Sequence, residues 1–190
     1  MSSRAKKTVL GGIALAAVTV LAFPGAAFAG TGGDVPGTAT LTAGTMSLVQ
    51  PDTIDFTATL NGADQAVTAP QDLQVLDNTG NAAGWNITLA MTPFHSLNGD
   101  LPASAVSDFS AATPVCDALA PTCTIATNTV TYPLALTAAA LPVAVEIESA
   151  ASGTGMLSQS TTHTMQLAIP AAARAGSYTS TWTYSVVSGP

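Results

Sequence analysis

The amino-acid sequence predicts an all-β fold, a single antiparallel β-sandwich or barrel-like domain of about eight to nine short strands. Three observations carry this expectation. Apolar and polar residues alternate with period two from residue 38 onward, and no segment shows a helical stripe. Turn-forming clusters separate the alternating runs: "NGAD", "DNTGNAAG", "LNGDLP", "ASGTG" and "PAAARAG". Charged residues make up only 8% of the chain, and sparse charge with abundant Thr, Ala and Gly suits an extracellular β-rich domain.

Residues 1–29 read as a cleaved secretory signal peptide. Arg4, Lys6 and Lys7 precede the apolar run "VLGGIALAAVTVLAF", followed by Pro24 and the small-residue site Ala27-Phe28-Ala29. The apolar run is short and glycine-containing for a membrane span, which needs about 20 apolar residues. Residues 30–37, "GTGGDVPG", read as a flexible lead-in, and 38–190 as the domain. After the leader only Arg174 is basic against 11 carboxylates, a formal charge of 1 − 11 = −10. Such a surface repels nucleic acid and anionic lipid and excludes both as partners.

The strands are expected in order. "TATLTAGTMSLV" changes parity at Gly44, which predicts a bulge or bend there. "TIDFTATL" puts Ile54, Phe56, Ala58 and Leu60 on one face, and "GWNITLAM" does the same with Trp85, Ile87, Leu89 and Met91. "TVTYPLAL" alternates Val130, Tyr132, Leu134 and Leu136, with Pro133 marking an edge or bulge. In "VAVEIE" Val143, Val145 and Ile147 face inward, leaving Ala144, Glu146 and Glu148 on the wet side. "TMQLAI" gives Met165, Leu167 and Ile169, and 177–187 closes the chain as a last strand. "SAVSDFSAA" and "TAAALP" read as isolated helical turns. Pro133 and Pro142 interrupt the apolar region 131–147, so it is two strands and a turn, not a span.

Reactive chemistry is thin. Cys116 and Cys123 in "CDALAPTC" are expected to form a disulfide, closing a loop whose constraint stabilises by about 2.5 kcal/mol at most. A redox or metal role for them lacks the C-x-x-C spacing and a neighbouring histidine. His95 and Asp100 suggest part of a Ser-His-Asp site, but no nucleophile-elbow pattern accompanies them. His163 shares an apolar face with Met165 and reads as a satisfied structural histidine. Asp77, Thr79 and Asn81 alternate like calcium ligands without a distal bidentate glutamate, so a capped turn is the better reading. The Asn86-Ile87-Thr88 sequon lies mid-strand. Neither an enzyme, nor a cofactor, nor a metal site is indicated.

Two blocks carry a family resemblance. "LQVLDNTGNAAGWNITLAMTPF", with Val75, Asp77, Gly80, Gly84 and Trp85, resembles the first tryptophan motif of WxL-domain surface proteins. "MQLAIPAAARAGSYTSTWTYSVVSGP" is similar to the closing block of that family, and "SGTGM" at 152–156 to the glycine-rich segment before it. Trp85-Asn86-Ile87 stands where Trp-x-Leu is expected, and Tyr184-Ser185-Val186 stands at the second position, with Trp182 two residues earlier on the same face. The resemblance is to a divergent, actinobacterial-type member. It implies non-covalent binding to the Gram-positive cell wall, through peptidoglycan or surface-protein partners, with Trp85, Asn86, Ile87, Trp182, Tyr184 and Val186 as binding-motif residues. Trp85 is expected in the sandwich core, an exposed ring facing glycan or peptide being the alternative; for Tyr184 both readings stay open. A structural subunit assembling into a fibre or surface layer by strand addition is the rival function.

Overall fold

The computed structural model describes residues 37–118 and 122–189 of the chain. The expected leader, 1–29, and residues 30–36 of the lead-in lie outside the described residues. The described residues hold eleven strands and no helix long and apolar enough to cross a membrane. In chain order they are β1 (Met46–Val49), β2 (Gln65–Asp77), β3 (Trp85–Met91), β4 (His95–Ser96), β5 (Gly99–Asp100) and β6 (Val106–Ala111). Next come β7 (Val115–Cys116), β8 (Leu134–Leu136), β9 (Val145–Ala150), β10 (Leu157–Ile169) and β11 (Trp182–Ser188).

One sheet runs β1-β2-β10-β6-β8 with β7 also on β10, a second runs β11-β3-β9, and β4-β5 is a small hairpin. Every pairing is antiparallel. Leu73, Val75, Val106, Leu136, Met165 and Leu167 from the first sheet meet Trp85, Ile87, Leu89, Met91 and Ile147 from the second in one buried cluster. Burying each such large apolar side chain contributes about 1.5–3 kcal/mol. The all-β, two-layered expectation therefore holds.

Two bulges change which residues enter that core. Between β3 and β9 the register runs Ile87 opposite Glu148 and then Thr88 opposite Glu146, leaving Ile147 as the extra residue. Parity reverses there, so Glu148, expected on the wet face, is buried together with Ile147. Between β10 and β6, Thr164 faces Ser110 and Met165 faces Asp108, leaving Phe109 over. Phe109 is turned outward, while Asp108, on the same face as Val106, is buried.

Other elements depart from expectation. Ladder pairing over 38–48 is confined to β1, and Gly44 is a close approach, its N–H donating to Asn78 O at 3.0 Å. A Cβ on Gly44 would lie 2.6 Å from that oxygen. The 54–60 segment forms no strand; Ile54 and Phe56 still pack on the core. "SAVSDFSAA" supplies β6 instead of a helical turn, "TAAALP" forms no helical turn, and only Leu134–Leu136 of the 129–136 run is strand. Pro133 stands directly before β8, which is an edge of its sheet.

Candidate functional site

The first tryptophan motif is architectural in its placement. Gly84 and Gly155 have φ of +79° and +78°, the left-handed region that favours glycine. A Cβ on Gly84 would sit 2.1 Å from Ala150 O, and one on Gly155 would sit 2.5 Å from Trp85 Nε1. The glycine-rich segment thus lies directly against the indole, whose Nε1 donates to Gly155 O at 2.9 Å. Trp85 is 1% exposed and Ile87 fully buried, so neither ring nor side chain meets solvent. Asn86 points to the other face of β3, half-buried, with Oδ1 unpartnered among the described residues.

The second motif is placed differently. β11 is an edge strand paired only to β3, with Trp182, Tyr184 and Val186 turned toward the core and half-buried. Trp182 joins Phe56 and Phe94 in an aromatic cluster with ring centroids 6.0–6.4 Å apart. Beside them opens a cleft of about 510 Å³, bounded by Trp182, Tyr184, Tyr178 and Phe94, by Gln71 of β2, and by the unpaired 50–55 segment. Trp182 Nε1, Tyr184 OH and Gln71 Oε1 are all buried without a hydrogen-bond partner among the described residues. Burial pushes the Tyr184 hydroxyl pKa well above its ordinary value, with Gln71 opposing and Asp108 reinforcing the shift. Gln71 lies near enough to bias that proton, yet no hydrogen bond of normal length and angle joins the two. Sequence reasoning missed Gln71, because the run that holds it did not read as a strand.

A second polar cluster lies within the core. His163 of β10, fully buried, pairs Nδ1 with Asp108 Oδ2 at 2.6 Å and Nε2 with Glu148 Oε2 at 3.0 Å. Thr161 donates to Glu148 Oε1 at 2.8 Å, and the Tyr132 ring stands edge-on to the imidazole at 6.1 Å. Burial alone would lower the His163 pKa, but its hydrogen bonds to Asp108 and Glu148, with their charges, raise it from 6.5 to about 9. Burial raises the Asp108 pKa, partly offset by His163. The expected satisfied structural histidine is observed; its two acidic partners were not anticipated.

The remaining candidates are local. Cys116 and Cys123 form the expected disulfide. Next to it Asp117 accepts hydrogen bonds from Ser158, Ser160 and Gln74, which hold its pKa below the usual value and tie the loop to β10 and β2. Asp77 Oδ1 accepts from Thr79 N at 2.9 Å and Thr79 Oγ1 at 2.6 Å, so it caps the turn as expected. His95 pairs with Asp100 at the exposed β4–β5 hairpin. Nearby Ser180 donates its hydroxyl to Thr92 O at 2.5 Å.

The family model described as "WxL domain surface cell wall-binding" matches residues 35–190. No curated protein and no solved structure gives a match.

Proposed function

The chain belongs to the WxL-domain family of surface cell wall-binding proteins, and from that premise we propose that it is exported and held at the wall without a covalent bond, by its folded β module. The observation that carries this reading is the cleft beside the second motif, where Trp182 and Tyr184 line an open, aromatic recess. Charge selects the target. Only Arg174 among the residues after the leader is basic, so anionic wall polymers are repelled and an uncharged component, peptidoglycan, is the fitting one. Binding, not turnover, is the activity we assign: among the described residues no activated nucleophile stands beside the His95–Asp100 pair, the nearby Ser180 hydroxyl being donated to Thr92 O.

A wall-associated protein as the partner is a second reading, favoured by β11. It is an edge strand with one side free of ladder pairing, and Val187 on it is 56% exposed. Strand addition there would also serve assembly into a fibre. Incubating residues 30–190 with purified sacculi, with and without EDTA and before and after removal of anionic polymers, tests the proposal. Co-sedimentation that survives both treatments is expected. Pelleting that occurs equally without sacculi would replace wall binding with self-assembly.

A further inference from the structure

We propose that the cleft beside β11 is a subsite for the acetamido group of an N-acetylated amino sugar. The inference rests on the wall-binding reading and assigns it a place and a chemical group. An acetamido group offers one N–H donor and one carbonyl acceptor a short distance apart. Three residues of the cleft lining carry the complement: Trp182 Nε1 can only donate, Gln71 Oε1 can only accept, and Tyr184 OH can do either. All three are unpartnered among the described residues. Gln71 is only 3% exposed and belongs to a strand paired over its whole length to β10, so its position is fixed. Unpaired buried polar groups favour a ligand that satisfies them and reject its analogue without them.

The walls select a sugar over a peptide. The π-faces of aromatic rings carry partial negative charge and attract the C–H face of a pyranose. Asp52 and Asp55 are the charged lining residues, with no lysine or arginine among them. Carboxylate-bearing peptides and phosphates are therefore disfavoured. The 50–55 segment makes no ladder pairing, so it is the wall that can shift to admit the group to the buried atoms.

Trp182 supplies the readout, because the other tryptophan, Trp85, is sealed in the core. Residues 30–190 are titrated with N-acetylated chitotetraose, its fully de-N-acetylated counterpart, cellotetraose and a blocked alanine dipeptide, following indole emission. A saturable change with the N-acetylated probe alone is expected. Tyr184→Phe keeps the ring, and Gln71→Leu keeps much of the side-chain bulk; each should weaken binding by about three- to tenfold. Equal response to cellotetraose, preference for the de-N-acetylated oligomer or the dipeptide, or unchanged affinity in both variants would each overturn the assignment. Parallel co-sedimentation separates the two claims. Capture by sacculi with no response to N-acetylated chitotetraose sinks the subsite alone, whereas a response without capture sinks the wall reading and keeps the subsite.

Discussion

Raising the pH should unfold this domain at a core histidine. His163 takes its proton more tightly in the folded state, with its pKa lifted from 6.5 to about 9 by Asp108 and Glu148. That lift corresponds to roughly 3 kcal/mol of stability. The contribution is fully present below pH 6.5 and is lost as pH rises through 9. Asp108 acts with the same sign, because burial favours its protonated form in the folded state. The groups facing the imidazole are Asp108 from β6, Glu148 from β9, Thr161 from its own strand and Tyr132 from the segment before β8. Denaturant titrations at pH 6 and pH 9.5, in a His95→Asn background that removes the other histidine, should differ by about 3 kcal/mol. His163→Leu leaves two carboxylates buried without their cation, and should lose about 3–5 kcal/mol at pH 7 while flattening the slope between pH 6.5 and 9. Should that variant fail to fold, NMR titration of the His163 ring in the His95→Asn protein gives the same answer. A ring titrating at the ordinary histidine value, or equal stability at the two pH values, would refute the reasoning.

Gly155→Ala forces a Cβ to within 2.5 Å of both Trp85 Nε1 and Ala150 Cβ at a φ of +78°. It should lower the unfolding free energy by about 2–5 kcal/mol, and unchanged thermal unfolding would show that the segment can move off the indole. Truncation after Gly176 removes β11 and strips one side from β3, reducing the second sheet to β3 and β9. No cooperative unfolding transition should remain, and a well-dispersed NMR spectrum of the shortened chain would show β11 to be an appendage.

Alternation revealed the faces of the strands better than their partners. Trp85, Ile87, Leu89 and Met91 all point inward as the pattern required. Ile54 and Phe56 also pack inward, yet their segment forms no ladder. Period-two spacing records side-chain direction, which an extended coil shares with a strand. β2 was the converse case. The sequence pattern predicts no strand over 65–71, but β1 pairs β2 only at Gln74–Asp77, so β2 is an edge at Pro70, where a proline is tolerated. Bulges were invisible because they depend on the register between strands distant in sequence. Each lies next to a buried acidic residue: Asp108 shares the inward face of Val106 directly before the Phe109 bulge, and the Ile147 bulge turns Glu148 inward.

That pairing of defects has a physical logic. A lone carboxylate turned into an apolar core would stay neutral or unfold the domain. Two carboxylates brought in from opposite sheets can share one imidazolium, since His163 offers a donor at each ring nitrogen once protonated. The cluster then ties β6 and β10 of one sheet to β9 of the other by directional contacts that apolar packing lacks. The two tryptophan motifs divide along the same line. Trp85 is satisfied internally, its indole proton bound to Gly155 and its faces enclosed, so its chemistry ends at folding. Trp182 is half-exposed, its indole proton unpartnered among the described residues and its ring on a cleft wall. The proposed subsite follows this division: the fold saturates the first indole, and the second is left for a ligand to satisfy.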